Sequence, residues 1–204
     1  MKEVNEMHVA VLAGGPGSER EVSMASAQGV AGALIGNVAK VTFVDVKGAD
    51  FVLPDDVDVA FNAIHGTFGE DGKLQAELES RGVPYTGARR KSSELAFDKI
   101  LSKNAFVSEG VNTPDSEVVL SNQENCTPHL IGIPCVVKPP REGSSVGVHL
   151  VETPEKLSAA IADAGRYSED VMVEQLIRGK ELTVGIVGDE IFPVVHIQPR
   201  SGFY

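Results

Sequence analysis

Residues 10–23 read AVLAGGPGSEREVS, an apolar strand that runs through Gly14, Gly15 and Gly17 into a helix-forming stretch. No other feature constrains the fold as much. A strand that turns at glycines straight into a helix opens a βαβ unit, because glycine tolerates the backbone angles that so tight a turn requires. Turns of this kind commonly hold a phosphate at the helix N-terminus. Here the helix opens on Glu19, Arg20 and Glu21, so its mouth carries two carboxylates and one guanidinium. That is a poor complement to a phosphate.

Strand and helix signals alternate downstream. Residues 7–13 (MHVAVLA) form the strand, and a helix is expected from about Glu19 to Ile35, with Val22, Ser26, Val30, Ala33 and Leu34 at helical spacing. KVTFVDV (40–46) and VDVAFNAI (57–64), rich in β-branched and apolar residues, predict two more strands. The turn HGTFGEDG leads to a helix with Leu74 and Leu78 on one face, ended by Gly82, and VPYTG predicts a short further strand. Alternation of this kind implies a parallel sheet covered on both faces. From Ser92 the pattern changes. One or two short helices run to Glu109, and TPDSEVV, IPCVVK and VGVHLVE then predict strands of a different, antiparallel sheet. Thr153 is placed to N-cap a helix ending at Gly165, with Pro154 at its first position and Leu157, Ala160, Ile161 and Ala164 as its apolar stripe. DVMVEQLI and ELTVGIVGDEIFPVVHIQP follow, the second a hairpin turning at GDE.

Composition removes some classes of function. A net charge of −11 argues against a nucleic-acid-binding face. No run approaches the roughly 18 apolar residues of a membrane span, and the apolar start is too short and too soon broken by glycine for a signal peptide. The cytoplasm is the expected location. The two cysteines make no disulfide framework, and neither they nor the five histidines show metal-ligand spacing.

Three stretches carry chemistry. In VVKPPREGSSVGV an apolar strand delivers Lys138, and a loop with Gly143, Ser144, Ser145 and Gly147 follows. An ammonium, backbone N–H groups and hydroxyls suit an oligophosphate, although the order is not that of a Walker A loop; the alternative is a solvent hairpin with an incidental lysine. In MVEQLIRGKELTV, Glu174, the apolar linker ending at Ile177, and Glu181 suit an adenosine, yet strand-end carboxylates are also ordinary surface residues. Lys99, opening a helix after Asp98, is a further phosphate candidate or a solvated lysine. His65 stands at a strand's C-terminal end, where α/β sheets bind ligands, and a structural hydrogen bond explains it equally. Gly66, Gly69 and Gly72 require unusual backbone angles in a tight loop, and Glu70 and Asp71 are expected to cap the next helix.

Taken in order, LAGGPGSEREVS, HGTFGEDGKLQ, YTG, DK, VVKPPREGSSVGV, VEQLIRGKELTV and IQPRSGFY closely resemble the D-alanine–D-alanine ligases of the ATP-grasp superfamily, over nearly the entire chain. The resemblance implies an α/β architecture in three parts. A Rossmann-like substrate-binding domain would span residues 1–97, a central ATP-grasp subdomain 98–178, and the start of an incomplete C-terminal ATP-grasp subdomain 179–204.

It also implies a reaction in which ATP phosphorylates one D-alanine carboxylate and the amine of a second attacks the acyl phosphate, for cell-wall synthesis. Lys99 and Lys138 would hold the α- and β-phosphates, Glu174 and the backbone near Ile177 would read adenine, and Glu181 the ribose. Ser144, with Ser145 beside it, would lie in the loop that closes over the γ-phosphate. Glu19 would pair with the ammonium of the first D-alanine and His65 lie near its carboxylate, while Glu21 complements the helix dipole. Mg²⁺ or Mn²⁺ would be held by residues beyond Tyr204, together with the second lid and the second-substrate pocket. By that reading the 204-residue chain ligates nothing alone, and the uncovered apolar sides of its last hairpin favour association. A homodimer through the first domain is expected. D-alanine–D-lactate and D-alanine–D-serine ligases, and a non-catalytic nucleotide- or D-alanine-binding module, are the alternatives.

Overall fold

The computed structural model describes residues 2–122 and 126–200, which fall into two compact units. The first comprises residues 1–112 together with Arg141–Gly143, the second residues 113–140 and 144–204. The expectations placed on Phe203 and Tyr204 lie outside the described residues.

The first unit contains β1 (His8–Gly14), α1 (Arg20–Leu34), β2 (Lys40–Val46), β3 (Val59–Asn62), α2 (Lys73–Ser80), α3 (Arg90–Phe97) and α4 (Lys99–Ser108). Its sheet is parallel in the order β2–β1–β3, with His8 opposite Lys40 and Val9 opposite Val59. β1 is central and buried along its whole length, as a strand covered on both faces must be. Its alternation sorts two cores. Ala10 and Leu12 pack with Val46, Ile64, Leu74 and Leu78 on one face. Val9, Val11 and Ala13 pack with Ala27, Met24, Val30 and Leu34 on the other.

Three local expectations are corrected here. The face that α1 turns to the sheet is centred on Ser23 and Ala27, whereas Val22 and Ala33 are exposed. A polar residue can occupy that seam because Ser23 Oγ donates to Ala63 O (2.7 Å) and accepts from Gly14 N (2.8 Å). β3 ends at Asn62 and does not run to Ile64. The Asn62 amide turns the chain there, donating to Gly69 O (2.8 Å) and accepting from Ile64 N (3.0 Å). VPYTG contributes a single parallel bridge between Tyr85 and Ala60 instead of a strand.

The second unit contains β4 (Ser116–Leu120), β5 (Cys135–Lys138), β6 (His149–Val151), α5 (Leu157–Ala164), β7 (Asp170–Gln175), β8 (Glu181–Thr183), β9 (Ile186–Val187), β10 (Glu190–Ile191) and β11 (Val195–Ile197). The main sheet is antiparallel in the order β4–β7–β5–β6. Val119, Cys135, Val137, Val151, Val171 and Val173 form its core with Ala160, Ile161 and Ala164 of α5. The expected stripe is therefore present. The cap differs: Thr153 occupies the N-cap of a short 3-10 turn, Pro154–Lys156, but its side chain makes no capping bond. A backbone N–H bond at Glu155, helped by the Thr153 hydroxyl, holds the Glu155 carboxyl below its ordinary value.

The expected hairpin turns at Gly188–Asp189, where β9 and β10 pair, and β8 pairs with β11 outside it. Leu182, Ile186, Ile191 and Val195 on these strands are exposed. No helix among the described residues is long and apolar enough to cross a membrane.

Candidate active site

In the first unit the polar groups gather at the C-terminal ends of the parallel strands. The β1–α1 turn takes positive φ at Gly14 (92°) and Gly15 (86°), but not at Gly17. Arg20 braces the turn. Its Nη2 donates to both carboxylate oxygens of Asp45 (2.7 and 2.8 Å) and its Nη1 to Val46 O (3.2 Å), so the planar guanidinium spans a carboxylate and a carbonyl of β2. The guanidinium seen at the mouth in the sequence is thus turned back onto the end of β2. Glu19 occupies the N-cap of α1, yet its side chain caps nothing. A Cβ built on Gly66 would lie 3.1 Å from Glu19 Oε1, and one on Gly143 3.3 Å from it. Glycine at both positions leaves room beside the carboxylate.

His65 follows β3, as its strand-end position predicts. Its Nε2 lies 3.0 Å from Ser26 Oγ and its Nδ1 3.8 Å from Glu70 Oε1. Glu70 therefore faces the histidine and does not cap α2. Gly72 is the N-cap residue (φ 88°), and the Asp71 carboxylate accepts from Lys73 N (3.1 Å). Of the three loop glycines, Gly66 and Gly72 take positive φ, whereas Gly69 is required by proximity, a Cβ there meeting Ile64 O at 2.3 Å. The left-handed residue in that stretch is Phe68 (φ 76°). A cavity of about 360 Å³, large enough for an amino acid, is bordered by Asn62, His65, Glu70 and Ser92.

Lys99 opens α4, and its Nζ donates to Glu142 O (2.6 Å). The preceding Asp98 is buried, accepts from Ile100 N (2.9 Å) and Leu101 N (3.1 Å), and receives Arg141 Nε on its other oxygen (2.7 Å). Asp98 thus caps the helix and ties residues 141–143 to the first unit. An aspartate directly before a helix start is the sequence signal for such a cap. Ser26 and the Arg20–Asp45 pair left no comparable signal, because their partners are distant in the chain.

In the second unit Lys138 and Glu174 form an ion pair between β5 and β7. Val136 lies directly opposite Glu174 in the register, so Lys138, two residues on, shares its face and reaches it diagonally. Both side chains are largely buried. After Lys138 the loop holds Ser144 (φ 49°), Ser145 (φ 59°) and Gly147 (φ 68°), two serines in a left-handed conformation that glycine would adopt at lower cost. Ile177 and Glu181 are exposed, Glu181 at the first position of β8 opposite Ile197. Among the described residues no group of three or more His, Cys, Asp or Glu is gathered as a metal ion would need.

A parallel-sheet unit with a carboxylate mouth, joined in one chain to an antiparallel unit with a buried lysine–glutamate pair and a serine–glycine loop, is of the ATP-grasp ligase class. Family models described as D-ala D-ala ligase N-terminus and D-ala D-ala ligase C-terminus match residues 49–88 and 105–204. The chain belongs to the D-alanine–D-alanine ligase family.

It is 44% identical over 197 residues to the D-alanine–D-alanine ligase of Methylacidiphilum infernorum, covering 97% of this chain and 64% of that one. To the D-alanine–D-alanine ligase of Aquifex aeolicus it is 40% identical, covering 97% of this chain and 69% of the relative. A crystal structure of the Bacillus anthracis D-alanine–D-alanine ligase complexed with ATP superposes with a TM-score of 0.79 at 30% identity, over 97% of this chain and 68% of that chain. The chain thus spans about two thirds of the length of the curated relatives it matches.

Proposed function

We propose that this chain supplies the first-substrate site and nucleotide contacts of an ATP-dependent D-alanine–D-alanine ligase, which forms D-alanyl-D-alanine through a D-alanyl phosphate. The observation that carries the reading is the position of Glu19, a carboxylate at the N-cap of α1 that stands against Gly66, in the loop that follows His65. A small zwitterion fits such a mouth. Glu19 takes its ammonium, and its carboxylate faces the N-terminus of α1 and the His65 ring, where helix dipole and imidazole favour negative charge.

On the nucleotide side Lys99 and Lys138 hold the α- and β-phosphates, Glu174 and the backbone near Ile177 read adenine, and Glu181 accepts from the ribose. The Lys138–Glu174 pair means that the nucleotide exchanges partners with an existing ion pair. Adenine's amino group then replaces the ammonium at Glu174 while phosphate replaces the carboxylate at Lys138. Ser144 and Ser145 present hydroxyls and backbone N–H groups in the loop that closes over the γ-phosphate and excludes water from the acyl phosphate. ATP comes with a divalent cation, Mg²⁺ or Mn²⁺, which supplies charge neutralisation. The protein's part is positioning, since the nucleophiles belong to the substrates.

Glu19→Gln in the full-length protein tests the first-substrate site. The KM for the first D-alanine should rise at least tenfold, the loss of one charge-assisted contact; an unchanged KM and rate refute the assignment. For the nucleotide half, ATP binding by calorimetry should be lost in Lys138→Met, and no measurable ATP binding by the unaltered protein refutes it. A homodimer through the parallel-sheet unit and a cytoplasmic location accompany this reading. A clean monomer at high concentration in gel filtration would overturn the dimer.

A further inference from the structure

We infer that Ser26 is a positioning residue that, with Glu70, holds His65 in the tautomer carrying its proton on Nδ1. The ring then offers a donor, not a lone pair, on its Glu70 side. This rests on the proposed role of His65 beside a substrate carboxylate. It adds which ring nitrogen does the binding and what keeps it so.

Three observations carry it. Ser26 Oγ lies 3.0 Å from Nε2, and Glu70 Oε1 lies 3.8 Å from Nδ1, so each ring nitrogen has its own partner. The partners differ in kind. An ionised carboxylate only accepts, whereas a serine hydroxyl rotates to donate or accept. With the proton on Nε2, the Nδ1 lone pair would face the Glu70 carboxylate, negative against negative. With it on Nδ1, the N–H dipole points at the carboxylate and the Ser26 hydroxyl donates into Nε2. Only the second arrangement turns the positive end of an N–H toward the carboxylate, and at 3.8 Å that N–H is not taken up in a hydrogen bond to Glu70 and stays available to a ligand. Finally, Ser26 is held in place by the bonds of Ser23, three residues earlier on α1, to Ala63 O and from Gly14 N. The height of α1 against the end of β3, and hence of Ser26 against His65, is set by buried hydrogen bonds. The consequence is chemical. Nδ1–H can donate to an amino-acid carboxylate but cannot accept a proton, so His65 binds an anion through that nitrogen and is not a base there.

The test is spectroscopic and uses the chain as it stands. Ring nitrogens of the ¹⁵N-labelled protein are read by multiple-bond ¹H–¹⁵N correlation at about pH 9, above the ordinary histidine range. His65 should show a protonated, pyrrole-type Nδ1 and a pyridine-type Nε2. Ser26→Ala, which places a strong helix former at a helical position, should keep the backbone spectrum and move both ring nitrogens toward averaged shifts. Ser26→Thr, which restores a hydroxyl, should return the original pattern.

A pyridine-type Nδ1 in the unaltered protein overturns the inference, as does an unmoved pattern in Ser26→Ala. Should Ser26→Ala fail to fold, Glu70→Gln supplies the readout: a shift toward the Nε2–H form supports the assignment and no shift overturns it. D-alanine titration separates the two readings. If the Nδ1–H pattern is present but D-alanine leaves it unperturbed, the substrate role fails and the tautomer assignment stands.

Discussion

The chain builds two glycine-containing loops after apolar strands, and they solve the same geometric problem in opposite ways. After β1 the glycines themselves take the left-handed angles, and a guanidinium clamps the turn to the neighbouring strand. After β5 two serines take those angles, and the charged residue before the loop is paired within its own sheet. The conformation of the first loop is cheap for glycine, and its brace is an arginine–aspartate ion pair. The second carries its backbone strain on two serines. A glycine loop is therefore better read by the charge at its mouth and by which residues bear its strained angles than by its glycine count.

The largest effect that would break this contrast is expected at Gly14. Gly14→Ala forces a positive φ on alanine and sets a Cβ 2.3 Å from Arg20 Nη1 and 3.0 Å from Val46 O. Strain and overpacking together should cost about 4 kcal/mol in urea unfolding, and a loss below about 1 kcal/mol would show that the turn adapts as readily as a hairpin loop. Next comes Lys138→Met, which leaves the buried Glu174 without its cation and should cost about 3 kcal/mol. Adding Glu174→Leu should restore most of that; a double variant as unstable as the single one would show that packing, not charge, is lost. Arg20→Ala should cost about 1.5 kcal/mol by removing the charge-assisted brace, and should leave the Ser144 loop unchanged in hydrogen exchange.

A smaller effect is read by pH. Burial pushes the Glu117 carboxyl up, but the backbone N–H groups of His129, Ile131 and Leu130 outweigh it, so it titrates below its ordinary 4.5. Its contribution to stability is thus complete above the unfolded value and lost as pH falls through the lowered one. Glu117→Gln should lower stability near neutrality and flatten the stability profile in that acid window, so that the two proteins converge as pH falls. The smallest effect, about 0.5 kcal/mol of stabilisation, is expected from Ser144→Gly, which relieves a left-handed serine at some entropic cost. Destabilisation there would mean that the contacts of the serine side chain outweigh the relief of its backbone.

Much of this was legible in the residues. β1 announced itself by seven consecutive residues that bury on both faces, and the apolar stripe of α5 by its spacing. The hairpin turn at Gly188–Asp189 followed from local chemistry. Candidate groups at strand ends were legible for the same reason, since a strand's C-terminal residue is fixed by where its apolar run stops. What was misread involved partners far apart in sequence. The stripe expected for α1 did not include Ser23, which is buried because Gly14 and Ala63, 9 and 40 residues away, need its hydroxyl. Glu70 looked like a cap and faces His65 instead.

By itself the sequence determined the alternation of strand and helix, the change from a parallel to an antiparallel sheet, and which charged residues stand at strand ends. Those are matters of period and turn chemistry, carried by residues a few positions apart. Only the tertiary structure decided that Arg20 turns away from the mouth, that Glu19 remains to face Gly66, and that Lys138 and Glu174 share one face of a sheet. Charge at a site is a sum over neighbours in space, and strand register brings together neighbours that sequence distance conceals.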